Sequence, residues 1–515
     1  VNRRPLLSLG LALFALIALL PLALMLVRVE PQHLAGVLDA RNLALLGRTL
    51  LLGLGAAGLA ALLGVPLGVL WTRTDLPGAR VFAALTPLPL LFPPLILAMS
   101  WAGLTELRGG LATISLLGLS TFPILALFTA RACERIDARQ LEAARLCGGR
   151  RAEWRIVWGA IRPGVLCAAS FAFLFATNDF AVPDYVSSIG PKFNVYADEV
   201  FATWRSAQDT GSAVASALPL IALSLLALYL ALRMRSRAQQ NSAALPGDFR
   251  AAERVPLGIW KPLALLLALG VLSLGVFAPI GRLIYESGGG PRGFALENMR
   301  AAFARALELG RANLQTSLLC SAAAALLSIP LALVLGHALA RSRRWSRAGS
   351  LLVVLPLAVP AVLLGIGSIG AWNRPATAAL YDSPAMVVLL MLARFLPLAV
   401  LGFAAAVVLL DARAEEAARL AGAGEPRRLL RIVAPPLLPA LLGGATLVFV
   451  LAMREIDAAI LVPAANGTIL FRLYNAVHFG RDDFVAALAL LVVFFVLLPG
   501  LLWSLFARRR LEFLP

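Results

Sequence analysis

Residues Glu416 to Pro439 read EAARLAGAGEPRRLLRIVAPPLLP, a polar, arginine-rich insert that interrupts one long apolar run and is followed at once by another. Glu416, Ala417 and Ala418 are good helix formers that start a turn. Gly422, Gly424 and Pro426 break it and let the backbone reverse, so the stretch predicts about two short helices. An imperfect second copy, EAARLCGGRRAEWRIVWGAIRP, occupies Glu142 to Pro163. Two such inserts on one side of a membrane would give the chain two handles for a soluble partner.

Working outward, the flanking runs set the class. Hydrophobic residues make up 60% of the 515 and charged residues 14%, with a mean hydropathy of +0.84, far from the balance of a soluble domain. The composition predicts an all-α polytopic membrane protein. An apolar run from Leu6 to Val27 is too long for a signal h-region and has no small-residue cleavage site after it, so it reads as an uncleaved first span. Further runs long enough to cross about 30 Å of hydrocarbon centre on 48–70, 80–103, 111–130, 163–183 and 212–232. After a polar stretch come runs near 262–284, 313–340, 350–371, 385–410, 438–461 and 484–506, giving six spans and six, about twelve in all.

The net charge of +18 could suggest nucleic acid, but the arginines sit in short loops between apolar runs, the pattern of a positive-inside bias. With both termini in the cytoplasm, 30 of the 46 lysines and arginines fall in cytoplasmic segments, 14 in outer ones, and Arg394 and Arg454 lie within spans. Both inserts then face the cytoplasm. The four cysteines, Cys133, Cys147, Cys167 and Cys320, show neither a disulfide framework nor metal-ligand spacing.

The halves are repeats. Glu142 and Glu416 are 274 apart, as are Pro123 and Pro397, while Pro163 and Pro439 are 276 apart, as are Arg155-Ile156-Val157 and Arg431-Ile432-Val433. Each insert lies between the fourth and fifth spans of its half, so the repeats are expected to be parallel, related by an axis along the membrane normal. The expected organisation is a first repeat over 1–232 with its insert at 132–162, a cytoplasmic linker over 233–261, and a second repeat over 262–515 with its insert at 411–437.

Glu-Ala-Ala, three residues, Gly, nine residues, Ile and then Pro resembles the cytoplasmic signature of ABC importer permeases of the binding-protein-dependent type, and Glu416, Ala417, Ala418, Gly422, Ile432 and Pro435 fit it. The first copy keeps Glu142, Ala143, Ala144 and Gly148, is two residues shorter, and has Gly159 where the proline would stand. The resemblance implies that each loop carries a coupling helix seated on a separate ATP-binding subunit, two copies in all. It also implies that one chain supplies both permease halves, as in the fused permeases of ferric-iron and thiamine importers. A merely solvated basic loop is the bland alternative, disfavoured by the recurrence of one pattern at one place in both halves.

The chain is not expected to hydrolyse ATP itself. A phosphate-cradling loop needs Lys followed by Ser or Thr, but Lys192 precedes Phe193 and Lys261 precedes Pro262, and these are the two lysines. A rival from another class is a twelve-span carrier driven by an ion gradient, which Asp75, Gly78 and Arg80 faintly echo; a turn signal explains the same residues, and such a carrier gives no reason for duplicated inserts.

Ionisable groups inside spans point to the pathway. Asp179 in the fifth span and Glu455 in the eleventh are 276 apart and therefore equivalent; Arg394 lies in the tenth span, and Arg454 and Asp457 flank Glu455. One reading is an ion pair of Arg394 with Glu455 or Asp457 that fixes packing, the other a gate or transient cation site. Pro87, Pro89, Pro93 and Pro94 in the third span, with Pro356 and Pro360 in the ninth, predict broken or kinked helices.

The outer segments, Arg28 to Gly47, Asp184 to Gly211, Tyr285 to Ala312 and Val462 to Asp483, are too short for a receptor domain, so the resemblance implies an extracytoplasmic substrate-binding protein docked on them. The stretches 178–184, 455–463 and 471–480 look most like ferric-iron-type permeases, with thiamine and polyamine importers open. Neither a catalytic group, a cofactor nor a metal site is expected in the chain, and His478 reads as a surface residue. The partners expected are lipid, the ATP-binding subunits and the binding protein, with no nucleic acid, in a bacterial inner membrane.

Overall fold

A computed structural model describes residues 5–34, 37, 39–207, 209–242, 250–290, 293–342, 348–478 and 482–511. Linker residues 243–249, the loop arginines Arg343, Arg344 and Arg347 and the side chain of His478 lie outside the described residues. A backbone without water must satisfy its N–H and C=O groups within its own segment, so each long apolar run becomes a helix. Among the described residues nine helices are long and apolar enough to cross a membrane, and three bent helix pairs bring the number to twelve if each pair is one span. Strand structure among them is limited to two isolated bridges. The expected all-α multi-span class is the one observed.

In chain order the first half has Pro5–Leu26, Ala40–Arg73, the pair Ala79–Leu91 and Pro94–Ala102, Gly109–Glu134, Ala138–Asn178 and Thr210–Arg237. The second has Gly258–Ser287, Leu296–Arg341, the pair Ala348–Ala358 and Ala361–Trp372, Pro384–Val408, the pair Glu425–Val433 and Leu438–Met453, and Asp483–Gly500. The sixth helix continues to Ser242, well into the stretch read from sequence as linker.

The proline-rich third and ninth segments break as expected, by 93° and 97°. In each, an extended proline, Pro93 at ψ 129° and Pro360 at ψ 138°, stands immediately before the second helix. The carbonyl of each then opens that helix, Pro93 O accepting from Ile96 N at 3.0 Å and Pro360 O from Leu364 N at 3.2 Å. In the first and seventh segments a single π turn, Ala15–Leu19 and Ser273–Phe277, precedes Pro21 and Pro279. A proline ring crowds the carbonyl four residues back and cannot donate to it, and a widened turn relieves both defects.

Contacts divide the chain into two compact units, one of Val1–Val37, Val200–Leu218 and Ile284–Pro515, the other of Leu38–Glu199 and Pro219–Leu283. The first apolar segment therefore packs with the second repeat and the seventh with the first. Within the former unit Gly10 faces Val334, and Gly367 faces the Pro21 carbonyl. Within the latter the Trp101 indole N–H donates to Leu274 O at 3.3 Å, and Gly275 rests against Pro89 and Phe122.

The centre of each unit is the pair formed by the second and fourth spans of its repeat. Gly64 and Gly68, one turn apart on Ala40–Arg73, face the carbonyls of Phe122 and Ala126, and a side chain at either position would collide with them. Gly336 faces the Val400 carbonyl in the same way. In lipid, where helices gain little by hiding apolar surface from each other, such close backbone approach is what holds them.

Candidate functional site

The two inserts share a design that begins one residue before each helix. Asp137 accepts the Arg139 N–H at 3.0 Å and Asp411 accepts the Arg413 N–H at 2.9 Å, each satisfying a donor that the first helical turn leaves open. These N-caps are 274 apart, so the repeat includes them. The second insert helix, Ala412–Leu420, ends at Gly422, whose φ of 77° is a left-handed conformation suited to glycine. In the first insert the left-handed residue is Gly149, at φ 62°, and not the motif glycine Gly148, at φ −156°.

Beyond the glycines the inserts differ for a reason visible in sequence. The first continues through Pro163 as helix into the fifth span, ending at Asn178. The second forms Glu425–Arg428 and a π turn, Leu429–Val433, then bends by 92° before Leu438–Met453. Pro435 and Pro436 cannot continue the ladder there, whereas Gly159 and Ala160 at the equivalent places can.

Glu142, Ala143, Glu416 and Ala417 are exposed, and Ala144 and Ala418 are half-buried. The most telling pair is apolar: Leu146 and Leu420, again 274 apart, are each 89% exposed. Such equivalent leucines give each polar insert helix one exposed apolar tip.

A clamp holds the second insert. Glu415 is buried and accepts from Arg341 Nε at 2.8 Å while meeting His337 Nε2 at 2.6 Å, and Arg341 also donates to Leu410 O at 2.8 Å. Burial alone would raise the Glu415 carboxyl, but the hydrogen bonds and charges of His337 and Arg341 outweigh it and hold it below the usual carboxylate range. The sequence reading does not single out these three residues. A signal was available, since His337 and Arg341 are one helical turn apart on one face and histidine occurs three times in the chain.

The buried charges resolve into a capped and a paired acid. Arg394 Nε lies 3.2 Å from Glu455 Oε2. Glu455 Oε1 accepts the Ala458 N–H at 2.8 Å, and Asp179 Oδ1 accepts the Val182 N–H at 2.9 Å. Both acids stand just past a helix end, at Met453 and Asn178, and satisfy a backbone donor of the turn that follows. Arg454 is the C-cap residue of the helix ending at Met453, and Asp457 is buried nearby. Asp198, not anticipated from sequence, accepts the Val195 N–H at 3.1 Å and has its other oxygen buried without a partner. Burial pushes its carboxyl well above the usual range, the backbone hydrogen bond opposes this, and the nearby charges of Asp184, Asp179 and Glu199 add to it.

Two stretches of the chain, 60–240 and 328–512, match the model of the family described as the binding-protein-dependent transport system inner membrane component. The chain belongs to this family. A permease of Sinorhizobium fredii (strain NBRC 101917 / NGR234), named as ABC transporter permease protein y4fN, is 27% identical over 338 residues, 61% of this chain and 57% of that protein. The chain thus spans little more than half the length of that relative. A Streptomyces antibioticus protein named as ABC transporter permease protein ORF1 is 30% identical over 222 residues, 43% of this chain and 95% of that protein. Both family stretches contain one insert, and membership lends no support to an ion-gradient carrier.

One further feature of the chain lies at the far end of its first apolar segment. Leu6 N donates to Glu425 Oε2 at 3.4 Å, which places the start of that span beside the second insert. Arg28 follows the other end of that helix, which is 22 residues long. There a cleft of about 300 Å³ is lined by Arg28, Trp204, Thr210, Ile369, Gly370, Asn373 and Arg374. Arg28 donates to Thr210 Oγ1 at 3.4 Å and Arg374 to Gly370 O at 3.3 Å. Among the described residues neither guanidinium has a carboxylate partner.

Proposed function

We propose that the permease is the membrane subunit of an ABC importer, supplying both halves of the translocation pathway. Both termini and both inserts face the cytoplasm, and the two inserts are coupling sites for two copies of a separate ATP-binding subunit. The observation that carries this reading is the duplicated insert, capped by Asp137 and Asp411 and presenting Leu146 and Leu420 at 89% exposure. A short helix attached by a glycine hinge can convert rigid-body movement of a soluble motor into tilt of the span that follows. The bilayer is a bacterial inner membrane, with Glu142, Ala143, Ala144, Gly148, Glu416, Ala417, Ala418 and Gly422 at the ATPase contact. Purified permease is expected to support substrate-stimulated ATP hydrolysis when an ATP-binding subunit is added and none without it. Hydrolysis by the chain alone, or labelling of Arg150→Cys and Arg428→Cys from opposite faces of the membrane, would remove the reading.

On the outer face the cleft between Arg28 and Arg374 is the docking point for an acidic side chain of an extracytoplasmic binding protein. Two cations at one glycine repel each other, and a carboxylate between them relieves that repulsion. Charge reversal, Arg28→Glu with Arg374→Glu, is expected to weaken binding-protein stimulation about tenfold or more while basal ATPase stays the same. An unchanged stimulation curve would place docking elsewhere.

The transported substrate we assign is ferric iron, on the likeness of 178–184, 455–463 and 471–480 to ferric-iron-type permeases. Thiamine and polyamine are the other ligands that this likeness leaves open. Identifying the ligand that co-purifies with the cognate binding protein decides among the three.

A further inference from the structure

In the second repeat, side chains tie the insert to the end of that repeat's second span: Glu415 is held by His337 and Arg341. Among the described residues the Glu415 position has no acidic counterpart in the first repeat, although the charge of Arg73, at the end of the second span there, acts on Glu153 of the insert. Leu141 stands 274 residues before Glu415, and it is buried against Ile136 and Val157. The helix that ends at Arg341 in the second repeat ends in the first at Arg73. A ten-residue helix at a membrane surface is marginal by itself and needs a tertiary anchor.

A backbone anchor there is the chain that joins the two repeats. Val255 N donates to Arg73 O at 2.7 Å and Val255 O accepts from Asp75 N at 3.3 Å, a parallel bridge at Thr74. Asp75 then holds the outgoing chain, its Oδ1 accepting from Leu257 N at 2.8 Å and its Oδ2 lying 2.7 Å from Lys261 Nζ. Five residues earlier, Arg250 O accepts the Ala138 N–H at 2.8 Å, and Ala251 bridges to Asp137. Ala252 packs against the cluster formed by Ile136, Leu141 and Val157. Finally, Arg250 Nη1 is 3.5 Å from Glu142, the motif glutamate, while among the described residues Glu416 has no side-chain partner. The aspartate-glycine loop that in sequence looked like a carrier motif is thus the fastening point of a strap.

We propose that residues 250–257 are a structural part of the first coupling site, doing through backbone hydrogen bonds what the Glu415 clamp does in the second, and that the two sites therefore fail independently. Arg250 and Glu142, both about half exposed at 58% and 53%, then form part of the surface offered to the ATP-binding subunit at the first site alone. The inference rests on the importer reading for its docking consequence, but its structural part does not.

Two measurements separate them. In the first, hydrogen exchange is followed in the purified chain after residues 250–257 are replaced by glycine and serine at equal length, after Asp75→Asn, and after Glu415→Leu. Strap replacement is expected to speed exchange in 138–147 about tenfold or more, because glycine raises the entropy cost of ordering the strap and the Ala252 packing and the Arg250–Glu142 pair are lost, and to leave 412–420 unchanged. Asp75→Asn gives a smaller change at the same place, and Glu415→Leu affects 412–420 alone. Unchanged exchange in 138–147, or equal acceleration of both inserts by either replacement, overturns the proposal. In the second, cysteines at 146 or 420, with Cys147 replaced by serine, are cross-linked to an added ATP-binding subunit. Strap replacement should lower the yield at 146 about tenfold and spare 420. Parallel loss at both sites overturns the separate-site inference, whereas absence of cross-linking in the otherwise unaltered chain overturns the importer reading while the exchange result stands.

Discussion

Replacing Leu146 and Leu420 together by aspartate is expected to reduce recovery of an ATP-binding subunit with the permease by well over about tenfold. Each leucine is 89% exposed, so neither contributes to the fold of its own insert. Burying one in a partner's groove is worth roughly 1.5–3 kcal/mol, and an aspartate there adds an unpaired charge to the lost contact. About 1.4 kcal/mol corresponds to tenfold in affinity, so the double change should exceed that by a wide margin. Either single change should leave one site intact and produce a smaller loss. Recovery equal to that of the unaltered chain would mean that the leucine tips are not the contact.

Arg394→Met is expected to lower the amount and thermal stability of the permease sharply, because it leaves the Glu455 carboxylate buried without its guanidinium. Breaking one side of a buried pair typically costs about 3–5 kcal/mol, while removing both charges is often close to neutral. The double change Arg394→Met with Glu455→Gln should therefore recover most of the lost stability, since glutamine can still accept the Ala458 N–H through its carbonyl oxygen. Transport by that double variant, and by Glu455→Gln alone, then separates two roles that stability cannot. Stable protein with impaired uptake puts Glu455 on the pathway; stable protein with full uptake reduces the pair to a packing device. Failure of the double variant to recover stability would refute the paired-charge account.

Some of the site was legible because its physics is local. The glycine and proline positions announce where each insert helix stops, and the 274-residue offset equates the two inserts before any contact is known. The left-handed residue of the first insert was not legible, because Gly148 and Gly149 are adjacent and either can adopt that conformation. Glu415 is not legible as a special group, because a glutamate beside a polar motif looks like one more solvated charge. Its importance comes from His337 and Arg341, 78 and 74 residues away in the chain.

By itself the sequence determined the all-α membrane class, the apolar segments, a break or kink in each of the two proline-rich ones and the duplicated inserts, since each follows from local hydropathy, backbone restriction or spacing. Only the tertiary structure decided which segments share a unit, sending Pro5–Leu26 to the second repeat and Gly258–Ser287 to the first. It also decided that Arg394 pairs with Glu455 and that the linker is fastened at Asp75. Apolar helices look alike to one another in lipid, so their partners are selected by where glycines admit a neighbouring backbone and where single charges meet, and neither is written in the periodicity of any one segment.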